Sequence, residues 1–163
     1  MAEYIIQDTT LIDLADIIRK QFMAEDVIIA LASNRNSLTD IYLVSGITNI
    51  ADYTFYNCTN LALTSLPEGL TSIGIGAFSH CTNLALTSLP EGLTSIGNGA
   101  FSHCQNLKSI TFKGTPSNIS STAFDQCYYL TTINVPWSEG EVAGAPWGAT
   151  NATINYNYIG GGK

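Results

Sequence analysis

The chain repeats itself every 23 residues. Phe55, Phe78, Phe101 and Phe124 stand at that spacing, as do Cys58, Cys81, Cys104 and Cys127, which are all of its cysteines. Leu61, Leu84, Leu107 and Leu130 keep the same interval, and so do Ile50, Ile73, Ile96 and Ile119. Four apolar columns in one phase restrict the chain to a stacked array, because one such unit is too short to bury its own apolar face. Residues 61–83 and 84–106 are near copies that differ only at Ile75/Asn98 and Thr82/Gln105. The first copy (Ile41 to Asn60) and the last (Ser109 to Tyr129) diverge more, as units do when one side faces solvent or a cap.

Each unit reads as one coil. Ile110-Thr111-Phe112 and Ile133-Asn134-Val135 alternate inward and outward side chains like a short strand. Pro-Glu-Gly at 67–69 and 90–92 turns the chain, with Pro setting φ and Gly supplying a permissive backbone. Leu70 and Ile73 then return inward before a bend at Gly74. Ala77-Phe78, Cys81 and Leu84 follow at the spacing of one face of a short helix or 3₁₀ turn. Stacked coils share one interior, with backbone pairing at about 4.8 Å per layer.

Composition narrows the function. Charged residues make up 12% of the chain, against roughly 25% in typical domains. The formal net charge is −7, and no basic patch exists to neutralise phosphates, which excludes nucleic acid as a partner. Between Asp52 and Lys108 only Glu68 and Glu91 are charged, so the central coils recognise whatever they bind through uncharged contacts. No apolar run approaches the length of a membrane span. The start, Met1-Ala2-Glu3-Tyr4, lacks a secretory pattern, so an export by lysis is expected for an extracellular role.

Catalytic and metal chemistry find little support. No GxSxG, HExxH or GxxxxGK motif occurs, and the Gly-x-Gly at 74–76 and 97–99 is a turn within each coil. His80 and His103 recur with the repeat, in one column with Asn57 and Gln126, which reads as an outward polar row. Zinc would need four converging ligands, and no CxxC or HxxxH is present. No cofactor is expected, and no enzyme. The cysteines share one phase, so their Cβ directions run parallel and disfavour disulfides; they read as small core fillers. The sequons at Asn57, Asn118 and Asn151 read as accidental without a secretory route.

The motif LPEGLTSIG-x-GAF-x-x-C-x-x-L resembles the BspA-like class of leucine-rich repeats over roughly residues 38–136. The resemblance implies a right-handed solenoid with short strands in a parallel sheet along one face, used for recognition and adhesion. Thr64 and Thr87 depart from the pattern, standing where Ile41, Ile110 and Ile133 stand in other copies.

The two ends are distinct segments, 1–37 and 137–163. Residues 9–33 read as a helical hairpin, with Thr9 or Thr10 capping and Leu11, Leu14, Ala15, Ile18 and Phe22 on one face. It plugs the first coil or docks the chain onto a larger assembly. At the other end Trp137 and Trp147 are expected to cover the last coil, followed by an alternating strand at 153–158. The QDTTL-type start, the repeats and the ending VPWSEGEVAGAPWGATNATINYNY together resemble small proteins encoded with phage and prophage tail genes of Gram-positive bacteria. That resemblance implies a virion location, or host cytoplasm before lysis. It also implies tail proteins and a bacterial surface glycan or protein as partners. A bacterial adhesin or intracellular protein-binding module is the alternative.

The candidate binding face is the outward strand surface. One row is Ser65, Ser88, Thr111 and Asn134, and its neighbour is Leu63, Leu86, Ser109 and Thr132. Aligned hydroxyls and amides on a rigid face can contact a ligand at little ordering cost; equally, they read as solvated strand positions. Either a monomer or several copies on a particle fit this pattern.

Overall fold

The computed structural model describes residues 35–160 apart from 40, 42 and 44. The helical hairpin expected at 9–33 lies outside the described residues. A short 3₁₀ turn, Arg35–Ser37, leads into about five stacked coils.

Two parallel sheets run along the stack, where the sequence reading expected one. Sheet A contains β1 (Asn49–Ile50), β2 (Ser72–Ile73), β4 (Ser95–Ile96) and β6 (Asn118–Ile119). Sheet B contains β3 (Ser88–Leu89), β5 (Ser109–Phe112), β7 (Thr132–Asn134) and β8 (Thr153–Asn155). Every pairing in sheet A joins residues 23 apart, as in Ile50↔Ile73 and Ile73↔Ile96, so the sequence period becomes the sheet register. β7 and β8 pair Thr132↔Thr153, a shift of 21 that marks a shortened last coil. β8 ends at Asn155, earlier than the expected strand, because the backbone turns at Asn157 (φ +56°) and Tyr158 donates back to Val135 O.

All four sequence columns are interior. The Phe, Cys, Leu and Ile members are at most 6% exposed and belong to one continuous core. The four phenylalanine rings stack at 5.2, 5.5 and 5.2 Å between centroids. Like side chains at one height in successive layers can do little else, since each is held in the same rotamer space by the same coil.

The stretch expected as a short helix is instead a ladder of turns, for a reason visible in its hydrogen bonds. Ala77, Ser79 and Cys81 donate three residues back within the coil, to Gly74, Gly76 and Phe78. The intervening Gly76, Phe78 and His80 donate forward to Asn98, Ala100 and Ser102 of the next coil. Half the amides are thus spent on stacking, so no helix can propagate. The bend before this ladder needs glycine, because a Cβ on Gly97 would come within 2.7 Å of the Gly74 backbone.

The two ends close differently. In inner coils, carbonyls such as Ala77 O and Ser79 O accept amides of the coil before. The matching Thr54 O and Tyr56 O of the first coil accept the Arg35 guanidinium instead, both at 3.0 Å. At the far end Phe124 N donates to Trp147 O, and the Trp137 and Trp147 rings pack on Phe112 and on each other. The two tryptophans cover the last coil as expected, and Trp147 is fully buried.

Candidate functional site

On sheet B, one outward row forms in strict register. Ser88 pairs with Thr111, Thr111 with Asn134, and Asn134 with Asn155. Ser65 is exposed on the coil before, and the other three sequence-predicted members are half-buried. The C-terminal part of the row is bonded to itself: Asn155 Nδ2 donates to Asn134 Oδ1 at 2.8 Å, and Asn134 Nδ2 to Thr111 Oγ1 at 3.1 Å. Asn155 is a member that the sequence reading missed. Its offset from Asn134 is 21 rather than 23, so the period alone did not reveal it.

The second row requires correction. Ser109 and Thr132 face outward, exposed and half-buried respectively, but Leu63 and Leu86 are interior, at 6% and 2% exposure. Thr64 and Thr87, beside them, are the exposed residues. An isoleucine that would point inward at this height, as Ile110 and Ile133 do, is a threonine in the two near copies. The backbone therefore turns the neighbouring leucine into the core, since burying Leu is far more favourable than burying an unbonded Thr hydroxyl. The two middle coils consequently present paired hydroxyls, Thr64-Ser65 and Thr87-Ser88, on this face, with Ser88 half-buried and the other three exposed.

A second surface feature lies at the turn between the Phe and Cys columns. Asn57, His80, His103 and Gln126 all adopt left-handed backbone, with φ between 56° and 61°. Asn and His are among the residues that tolerate this region best, which explains a polar column inside an apolar repeat. The His80 and His103 rings stack at 4.1 Å, and Tyr56 meets His80 edge-on at 5.7 Å. Burial, and then the neighbouring His103, lower the His80 pKa from its usual value.

Each cysteine after the first bonds back across layers. The Sγ atoms of Cys81, Cys104 and Cys127 donate to Phe55 O, Phe78 O and Phe101 O at 3.0, 3.2 and 2.9 Å. All four cysteines are free and buried. Burial pushes the Cys81 thiol up to about 12 and raises Cys104 as well. Cys58 also rises through burial, opposed by the charge of Arg35. The Cys81 and Cys104 thiols stay protonated at neutral pH and donate to turn carbonyls, while the side-chain hydrogen bond with Cys104 lowers Cys127; this bonding across layers distinguishes cysteine from alanine in the column.

A BspA type leucine rich repeat region, in six copies, matches residues 30–143. The chain belongs to the BspA-type leucine-rich repeat family. No curated protein matches it in sequence. Among solved structures it is similar to a leucine-rich repeat protein from Bacteroides ovatus ATCC 8483, with 26% identity and a TM-score of 0.46 over 66% of this chain and 34% of that one. It is also similar to the Treponema pallidum leucine-rich repeat protein, with 23% identity and a TM-score of 0.47 over 74% of this chain and 70% of that one. A leucine-rich cell surface protein from Faecalibacterium prausnitzii A2-165 aligns at 25% identity and a TM-score of 0.34, over 60% of this chain and 39% of that one. The chain spans about a third of the length of the Bacteroides protein.

BspA-type repeats typically build non-enzymatic scaffolds. In this BspA-type chain the described residues include no cluster of three His, Cys, Asp or Glu side chains placed to hold a metal. Lys113 and Glu68, both exposed, form an ion pair across two coils beside the sheet B face. Such a pair contributes little stability in water.

Proposed function

We propose that this chain is a binding scaffold whose recognition surface is the outward side of sheet B, and that it serves as a tail-associated component of phage or prophage particles. One observation carries the first part: Ser88, Thr111, Asn134 and Asn155 stand in one strand register on a rigid sheet. Side chains already ordered before contact lose little entropy on binding, so even weak polar contacts count toward affinity. The tail assignment is supported by the sequence resemblance of both ends. Its partners would be tail proteins on one side and a bacterial surface glycan or protein on the other.

Binding of the labelled chain to Gram-positive cells and isolated cell wall tests the surface. The Ser88→Ala/Thr111→Ala double variant should lose most of this binding while unfolding at the same temperature as the wild type. Undiminished binding would remove the sheet face from consideration. Mass spectrometry of purified particles tests the location. A chain found on the bacterial surface and absent from particles would assign the adhesin role instead.

A further inference from the structure

We infer that the turn ridge running from Tyr53 to His103 is a second binding surface, one that takes an uncharged polysaccharide chain by stacking on its sugar faces. Tyr53 and Tyr56 are 53% and 41% exposed, and Ile75 beside them is 42% exposed. An exposed Tyr is unremarkable alone; here the rings form a connected track. Tyr53 meets Tyr56 edge-on at 5.9 Å, Tyr56 meets His80 at 5.7 Å, and His80 stacks on His103 at 4.1 Å.

The track is held in place before any ligand arrives. The Tyr53 ring occupies the space that a Cβ on Gly76 would need, with ring atoms 2.6 and 2.7 Å from that position. Under the ridge, Arg35 binds the carbonyls of Tyr53, Thr54 and Tyr56. Rigid aromatic anchors of this kind offer contact area at low ordering cost.

The chemistry of the track selects the ligand class. Two exposed phenol rings and Ile75 suit the apolar C–H face of a pyranose. The imidazoles of His80 and His103 then offer nitrogen donors and acceptors to sugar hydroxyls one layer further on. Charge argues against an anionic ligand. No Lys or Arg lies between residues 52 and 107, the Arg35 guanidinium is committed to three carbonyls, and the Asp52 carboxylate accepts Ile75 N at 2.7 Å. A neutral glycan is the partner that needs both apolar faces and uncharged hydrogen bonding.

This surface is separate from sheet B, and affinity electrophoresis of the full chain keeps the two apart. Native gels are cast with soluble dextran, β-1,3-glucan or galactomannan, and with polygalacturonate as the anionic counterpart. At least one neutral polysaccharide should retard the chain. Tyr53→Asn, which keeps a residue tolerant of φ +56°, and Tyr56→Ala should each weaken that retardation roughly tenfold, on the order of one ring contact. Tyr56→Phe should preserve it, and Tyr129→Ala, which removes an exposed ring outside the track, should leave it unchanged. Circular dichroism of each variant separates lost contact from lost fold. Three results would overturn the inference: no retardation by any neutral polysaccharide, retardation by polygalacturonate alone, or unaltered retardation in folded Tyr53→Asn and Tyr56→Ala.

Discussion

The two middle coils and the two that follow them solve the same problem by opposite routes. In the middle coils the inward residues approaching sheet B are Leu84, Leu86 and Leu89, spaced two and then three apart. In the next coil they are Leu107, Ile110 and Phe112, spaced three and then two. A step of three interrupts strand alternation, so its position decides where a strand can exist. After Leu107 the interruption comes first, and Ser109–Phe112 then alternates out and in as a four-residue strand. After Leu86 it falls at Thr87-Ser88 and leaves only Ser88–Leu89 paired. Both routes span the same number of residues, so Leu89↔Phe112 remains in register. A repeat period therefore constrains where coils meet, not which residues within a coil face inward.

The largest effect is expected where the two kinds of coil share one element. Phe101 stacks between Phe78 and Phe124 and so links a middle coil to a later one. Phe101→Ala should lower unfolding free energy by about 3–5 kcal/mol, measured by urea denaturation. A cost below that of an exposed substitution would mean that the stack is not the shared interior.

The contrast in phase can be broken directly. Leu86→Ala should cost about 2–5 kcal/mol, whereas Thr87→Ala should be nearly neutral. Writing the later coil's order into the middle one, as Leu86→Ser/Thr87→Ile, should bring the loss to within about 1.5 kcal/mol, because buried volume is then kept. If the double variant unfolded as readily as Leu86→Ser alone, the middle coil would be locked into its phase by something other than the position of its apolar residues.

The ends sharpen the comparison at lower energy. Arg35→Ala removes the donor to three first-coil carbonyls and should cost about 1 kcal/mol, since water can replace part of that bonding. Hydrogen exchange should show the loss confined to the first coil.

The smallest effect expected is a pH dependence at the histidine stack. Burial and His103 lower the His80 pKa in the folded chain, so below the unfolded value of about 6.5 the unfolded state binds the extra proton first. Stability should fall slightly as pH drops from about 7 through the lowered folded value, and this part should vanish in His80→Asn. Thermal unfolding of both proteins across that range reads the difference.

Much of the interior was legible because its signal is periodic. Phe, Cys, Leu and Ile columns repeat without exception, and stacking turns each column into one line of contacts. The strands Ser109–Phe112 and Thr132–Asn134 were legible too, because their alternation is clean. Leu63 and Leu86 were misplaced because they share a register with Ser109 and Thr132, and the period carried an outward assignment onto residues whose own chemistry favours burial. Sheet A was missed as a sheet because its strands are two residues long, too short to alternate. The His80 and His103 column was recognised as polar and outward, but its left-handed backbone and stacked rings were not foreseen, since neither leaves a periodic signature beyond the residue types.

By itself the sequence determined the period, the membership of the core columns and hence the family. Those follow from the need of every short unit to bury its apolar face on the next one. Only the tertiary structure decided which side chain of Leu86-Thr87 enters the core, how Arg35 and Trp147 supply bonds that neighbouring coils supply elsewhere, and that Tyr53, Tyr56, His80 and His103 meet on one ridge. These depend on backbone amides shared between layers, and a linear pattern does not show which amides a coil spends on itself and which on its neighbour.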